Sequence, residues 1–145
     1  MRVRRQARIV VIQTLFEADI AHHDLNRVLS QRLQETALPE SGVLFVQELV
    51  SGVWQHRESL DEIIMQIAPD WPVEQLAAID RNILRVAIYE ILATNDTPVK
   101  VVVNEAVELA KLFGSDSAPR FVNGVLGTLL REKHRFRLPS RAESA

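Results

Sequence analysis

Apolar residues recur at helical spacing along most of this 145-residue chain, and no other feature constrains its fold as strongly. The pattern is clearest between residues 76 and 91, where the apolar positions are Leu76, Ile79, Ile83, Leu84, Ala87, Ile88 and Ile91. Only five glycines and six prolines interrupt the chain, and most of the prolines stand where helices should start or stop. The sequence therefore predicts an all-α protein of about six or seven helices.

Capping residues indicate where these helices begin and end. Asp24, Ser41 and Ser117 are predicted N-caps, and Gly114 is a predicted C-cap. The loop at residues 68–72 is the best candidate for a boundary between two small sub-bundles, at about residues 1–70 and 71–138. We expect one compact domain of this kind, with residues 139–145 as a frayed tail.

Three segments allow more than one interpretation. Residues 43–67 form either one bent helix or two. Residues 99–103 are rich in valine, as strands are, but the helical period continues to Phe113, so we predict a helix. Gly124 and Gly127 match the four-letter G-x-x-G pattern of an RNA-binding module, but they lie within a helical pattern, and we interpret them as small residues at a helix contact.

Catalytic and metal-binding patterns are missing from the sequence. There are no cysteines, and the four histidines lack the spacing that would place two ligands on one helical face. Glu105 and Glu108 share a helix face, but such a pair is usually solvated, and Lys111 offsets its charge. We expect no metal, no cofactor and no enzymatic activity. With neither a membrane-spanning run nor a signal peptide in view, we expect a cytoplasmic protein.

The net charge of −2 conceals a strong segregation of charge. Residues 1–8 carry four arginines and no acid, whereas residues 9–119 hold seven basic and 17 acidic side chains. Residues 120–145 hold six basic side chains and two acidic ones. Basic ends suit a polyanion, and an acidic middle suits a basic partner.

Two places on this surface could bind RNA. Arg4, Arg5 and Arg8 lie within little more than one helical turn, so at least two guanidinium groups can reach the same phosphates. Arg120 and Phe121 lie at the start of the last helix, where backbone N–H groups attract anions and an exposed ring could stack on a base. Phe121 could equally be a core residue.

Several long motifs resemble the NusB family of bacterial transcription antitermination factors. They are RRQAR at 4–8, QTLF at 13–16, DRNILRVAIYE at 80–90, PVKVVVNEAVELAK at 98–111, FG at 113–114 and RFVNGVL at 120–126. The motifs follow in order over most of the chain.

The resemblance implies binding to the single-stranded boxA element of nascent ribosomal RNA transcripts. It also implies a heterodimer with the small-subunit ribosomal protein NusE, within an RNA polymerase antitermination complex. Arg5, Arg8, Arg120 and Phe121 would contact the RNA. Phe16, Glu74 and Asp80 would lie on the partner-facing side, with Phe16 standing where some members have tyrosine.

Two other readings stay open at this point. A NusB-like domain also occurs at the N-terminus of certain RNA cytosine methyltransferases, so the chain could be a module of an RNA-modifying system. Alternatively, it could be a helical scaffold that only homodimerises, with solvated basic ends. The sequence assigns the basic tail, residues 131–145, to RNA by charge alone.

Overall fold

Helices dominate the computed structural model of this chain, which describes residues 2–71 and 75–139. Seven α-helices cover most of these two ranges: α1 (Arg2–Ala21), α2 (Leu25–Glu35), α3 (Glu40–Gln55), α4 (Arg57–Ile67), α5 (Ala78–Ala93), α6 (Val99–Phe113) and α7 (Ala118–Arg131). A short 3-10 turn follows at Lys133–Arg135. The described ranges contain no strand, so the all-α prediction is confirmed, and the valine-rich segment at 99–103 is helical.

Two of the predicted caps are formed as expected. The carboxylate of Asp24 accepts a hydrogen bond of 3.1 Å from the backbone N–H of Arg27, in the first turn of α2. At the end of α6, the backbone N–H of Gly114 donates to the carbonyl of Ala110 at 2.8 Å. Each contact satisfies a backbone or side-chain group that a helix end would otherwise leave unpaired.

The other two caps differ from the prediction. Ser117 immediately precedes α7, but its side chain makes no capping hydrogen bond. Ser41 is not an N-cap, since α3 already begins at Glu40 and Pro39 precedes it. Proline is suited to this position because it has no N–H to leave unpaired and its φ is fixed. Residues 43–67 form two helices, which meet at His56.

Helix α5 is the centre of the structure and packs against α1, α3, α4, α6 and α7. Gly52 of α3 allows one of the closest approaches, because a Cβ there would lie 2.1 Å from the Tyr89 hydroxyl oxygen. The buried apolar residues of the described ranges form one continuous cluster, with the exception of Ala18 and Val28. The division into two sub-bundles stays a prediction.

A charged network ties α1, α4 and α5 together beneath the surface. Arg85 donates two hydrogen bonds of 2.7 Å to Asp61 and one of 3.1 Å to Asp19, which also accepts from Arg81 at 2.8 Å. Burial alone would raise the pKa of Asp19, but the Arg81 hydrogen bond and the two arginine charges outweigh it and lower that pKa. The network thus holds the second half of α1 beside the first turns of α5. No helix of the described ranges is long and apolar enough to cross a bilayer.

Candidate nucleic-acid interface

Two arginines of the first turn of α1 lie at the surface with their guanidinium groups held in place. Arg4 donates to the Thr97 hydroxyl at 3.0 Å and lies over the Phe45 ring, 4.3 Å from its centroid. Arg5 forms a two-bond ion pair with Glu105, and this contact raises the pKa of Arg5. Both side chains keep N–H groups that these contacts do not use.

The position of Arg8 does not agree with the prediction that this residue contacts RNA. Its side chain is buried and forms a two-bond ion pair of 2.8 and 2.9 Å with Glu90, which is also buried. The reason lies in the helical period: Arg8 is three residues before Val11 on the inner face of α1. A buried, paired guanidinium cannot reach a phosphate, so we assign Arg8 to the core and leave it out of the RNA site.

Arg120 and Phe121 lie in the first turn of α7, at the edge of a surface groove of about 470 Å³. The Phe121 ring is half-buried and packs against the core. One part of the ring is therefore a core contact, and the other part is at the surface. Its remaining surface meets Trp71, with ring centroids 6.2 Å apart and planes at 65°. Arg120 is exposed, and in the described part of the chain no ion-pair partner faces it.

Asp80 lines the same groove but is almost completely buried, with 7% of its surface exposed. Its Oδ1 lies against the Cα side of Gly114, where an added Cβ would be 2.7 Å away. This oxygen accepts no hydrogen bond from the described residues, and burial raises the pKa of the carboxyl group. Asp80 is therefore not the exposed carboxylate that a partner-facing side suggests, but an unpaired acceptor lining the groove.

The structure describes only one of the other two residues that we expected to face a partner. Phe16 is half-buried on α1, three residues before Asp19. Asp19 pairs with Arg81 in the first turn of α5. Glu74 lies outside the described residues. Residues predicted to bind RNA and one predicted to bind a partner thus line a single groove, formed at the start of α5 and α7.

Sequence analysis missed two residues of this interface. Trp71 appeared there only as part of a loop, yet 59% of its surface is exposed beside Phe121. Glu105 appeared as a solvated carboxylate, but it is buried, whereas Glu108 is exposed and pairs with Lys111 at 3.2 Å. The spacing of Glu105 was a usable signal, since it lies three residues after Val102 on the inner face of α6.

The Gly124–Gly127 segment does not make the close helix contact that we expected of it. It is part of α7, and a Cβ added at Gly124 would meet no atom within 4 Å. A Cβ at Gly127 would touch only the end of the Arg131 side chain, at 3.6 Å. The interpretation as a close helix contact is therefore wrong, and the two glycines lie on an open part of the helix.

These features define an all-helical protein with a groove that combines an exposed arginine and two aromatic rings. The described residues contain no group of three side chains able to hold a metal ion. The chain belongs to the NusB family, whose sequence model matches residues 5–131. It is similar to the transcription antitermination protein NusB of Roseiflexus sp. (strain RS-1), with 48% identity over 130 residues, 88% of this chain and 92% of the relative. The NusB of Dehalococcoides mccartyi (strain CBDB1) is 52% identical over 126 residues, 87% of this chain and 88% of the relative.

Solved structures show the same fold. NusB of T. maritima superposes with a TM-score of 0.84 at 31% identity, over 94% of this chain and 93% of that structure. A structure of the antitermination factors NusB and NusE with dsRNA has a TM-score of 0.82 at 24% identity, over 90% of this chain and 98% of that one. The relatives named as antitermination proteins favour that role over a module of an RNA-modifying system.

Proposed function

We propose that this protein binds a single-stranded RNA of the boxA type together with the basic ribosomal protein NusE. In this proposal the pair acts within the transcribing RNA polymerase complex of the bacterial cytoplasm, by binding and not by catalysis. One observation carries the proposal: exposed Arg120, the half-exposed Phe121 ring and exposed Trp71 line one groove. A phosphate-binding cation beside two aromatic surfaces is a typical arrangement for binding single-stranded nucleic acid.

The first turn of α1 extends this RNA surface. Arg4 and Arg5 add two guanidinium charges, which Thr97 and Glu105 hold in place. Glu105, which holds Arg5, lies nine residues before Gly114 on α6. At about 1.5 Å per residue, this separates the arginines from the groove by about 14 Å along the helix axis. A strand of a few nucleotides could contact both.

The proposed partner site uses the opposite charge. Asp80 brings a negative charge to the wall of the groove, and this charge would attract a lysine or arginine of a basic protein. Phe16 would add apolar contact nearby. RNA and partner would then meet at the groove, so each should strengthen the binding of the other.

Trp71 provides the experiment that tests this proposal. The chain has two tryptophans, and the variant Trp54→Phe leaves Trp71 as the single reporter. We expect a boxA-type single-stranded RNA to change Trp71 fluorescence, with tighter binding when NusE is present. A scrambled RNA and a double-stranded RNA serve as controls for sequence and strand state. An affinity that is the same for wild type and for Phe121→Ala, with no change in Trp71 emission, would refute the groove as the RNA site.

A further inference from the structure

The ion pair between Arg5 and Glu105 is asymmetric in its exposure. Nε and Nη2 of Arg5 donate to the two carboxylate oxygens of Glu105 at 3.0 and 2.9 Å. The Arg5 side chain is 50% exposed, whereas only 7% of the Glu105 side chain is exposed. RNA approaching from solvent would therefore meet the guanidinium group and not the carboxylate.

The geometry of this pair leaves half of the guanidinium group available. A guanidinium group has five N–H groups in one plane, and Glu105 engages one edge of that plane through Nε and Nη2. The edge formed by Nη1 and the second N–H of Nη2 remains. That edge alone can form two parallel hydrogen bonds with a phosphate.

We propose that Glu105 is a positioning residue for RNA binding, which orients Arg5 so that its remaining edge faces a backbone phosphate. This inference rests on the proposed function, since it requires Arg5 to contact RNA. A long, exposed arginine loses rotamer freedom when it binds, and an arginine already fixed by a carboxylate has less freedom to lose. Glu105 would act through Arg5 without touching the RNA.

The alternative is that Glu105 competes with phosphate for Arg5. Competition requires the phosphate to take the edge that Glu105 occupies, but that edge faces inward, toward a buried carboxylate. The neighbouring Arg4 shows the same arrangement without an acid, because Thr97 and the Phe45 ring hold it. The two ideas predict opposite signs, since loss of a competitor strengthens RNA binding and loss of a positioning contact weakens it.

The experiment compares Glu105→Asp with Glu108→Asp in the full-length protein. Both changes keep the charge and remove one methylene from the same helix, but only the first withdraws a carboxylate that is hydrogen-bonded to Arg5. We expect Glu105→Asp to raise the Kd for a single-stranded boxA-type RNA by about 3- to 10-fold and Glu108→Asp to leave it unchanged. Each Kd is measured well below the melting temperature of its variant, so that folded protein is compared. Glu105→Gln, which keeps the side-chain length, repeats the test if the aspartate variant does not fold.

The same pair of measurements in the Arg5→Ala background separates positioning from a structural effect. If Glu105 acts through Arg5, Glu105→Asp should have no further effect on RNA binding once Arg5 is gone. Equal weakening in both backgrounds, no weakening, or tighter binding by Glu105→Asp would each overturn the inference. An Arg5→Ala variant that binds RNA like wild type would instead show that the proposed RNA surface is wrongly placed at Arg5, and the inference would fail with it.

Discussion

Arg8 and Glu90 form an ion pair inside the helical core, where only 4% and 3% of their side chains are exposed. The pair joins α1 to the end of α5 through two hydrogen bonds of 2.8 and 2.9 Å. Removal of one partner leaves the other as an uncompensated buried charge. Both residues are therefore needed together, and neither is placed to meet a ligand.

We expect Arg8→Ala to lower the free energy of unfolding by about 3 to 5 kcal/mol. Arg5→Ala should lower it much less, because the Arg5 side of the Arg5–Glu105 pair is exposed and screened by solvent. Urea denaturation of the two variants measures the difference. Equal destabilisation would contradict the assignment of Arg8 to the core and Arg5 to the surface.

Phe121 and Phe16 provide a reciprocal test of the two proposed binding surfaces. Phe121→Ala should weaken RNA binding by about 1 to 3 kcal/mol, because a stacked base loses its aromatic platform. Phe16→Ala should leave RNA binding by the isolated protein unchanged and weaken binding to NusE. Titrations of each variant with RNA alone and with NusE alone make the comparison. Loss of NusE binding in Phe121→Ala, with RNA binding intact, would reverse the assignment.

Asp80 should lower the stability of the protein at neutral pH but favour binding of the partner. Its pKa is raised by burial, so the folded state disfavours the ionised form, and the destabilisation is present above the raised pKa and disappears at lower pH. Asp80→Asn should therefore raise stability at pH 7 by about 1 kcal/mol, which is about 2 to 4 °C in Tm.

The same variant should weaken the NusE complex, because the groove wall loses a negative charge that would attract a basic partner. Thermal melts at several pH values and a binding titration with NusE test the two effects. A gain in stability that persists unchanged below pH 4, or an unaltered NusE complex, would contradict this account of Asp80.

Asp19 should show the opposite pH dependence. Its pKa is lowered in the folded state, so its contribution to stability is present above the unfolded pKa of about 3.9 and is lost as pH falls through the folded value. Asp19→Asn should flatten the fall in stability below about pH 4. Denaturation midpoints between pH 2 and pH 7 measure this. If the stability of the variant falls as steeply at low pH as that of wild type, other carboxylates cause the loss.

Sequence periodicity predicted the helices well, because each has an apolar face that repeats over several turns. It failed at charged residues on those same faces. Arg8 and Glu105 lie three residues from core valines, yet charge led us to place the first on an RNA surface and the second in solvent. Whether a charge on an inner face is buried depends on a partner from a distant helix, here Glu90 or Arg5. Spacing within one helix cannot reveal that partner.

The groove could be predicted only in part for a similar reason. Arg120 and Phe121 are neighbours in sequence, and their place at a helix start was readable from the chain. Asp80 joins them through the packing of α5 against the start of α7 near Gly114, and Trp71 joins them through its ring contact with Phe121. A tertiary contact of this kind leaves no local pattern.

Salt dependence of RNA binding tests the central claim most directly. The double variant Arg5→Ala with Arg120→Ala removes two charges from the proposed RNA surface, and Arg27→Ala with Lys111→Ala removes two exposed charges elsewhere. For a single strand, each lost phosphate contact reduces the steepness of log K against log salt by about 0.7. We predict a slope that is less steep, by about 1.4, for the first variant and close to that of wild type for the second. A wild-type slope in the first variant, or equal changes in both, would contradict the proposed interface.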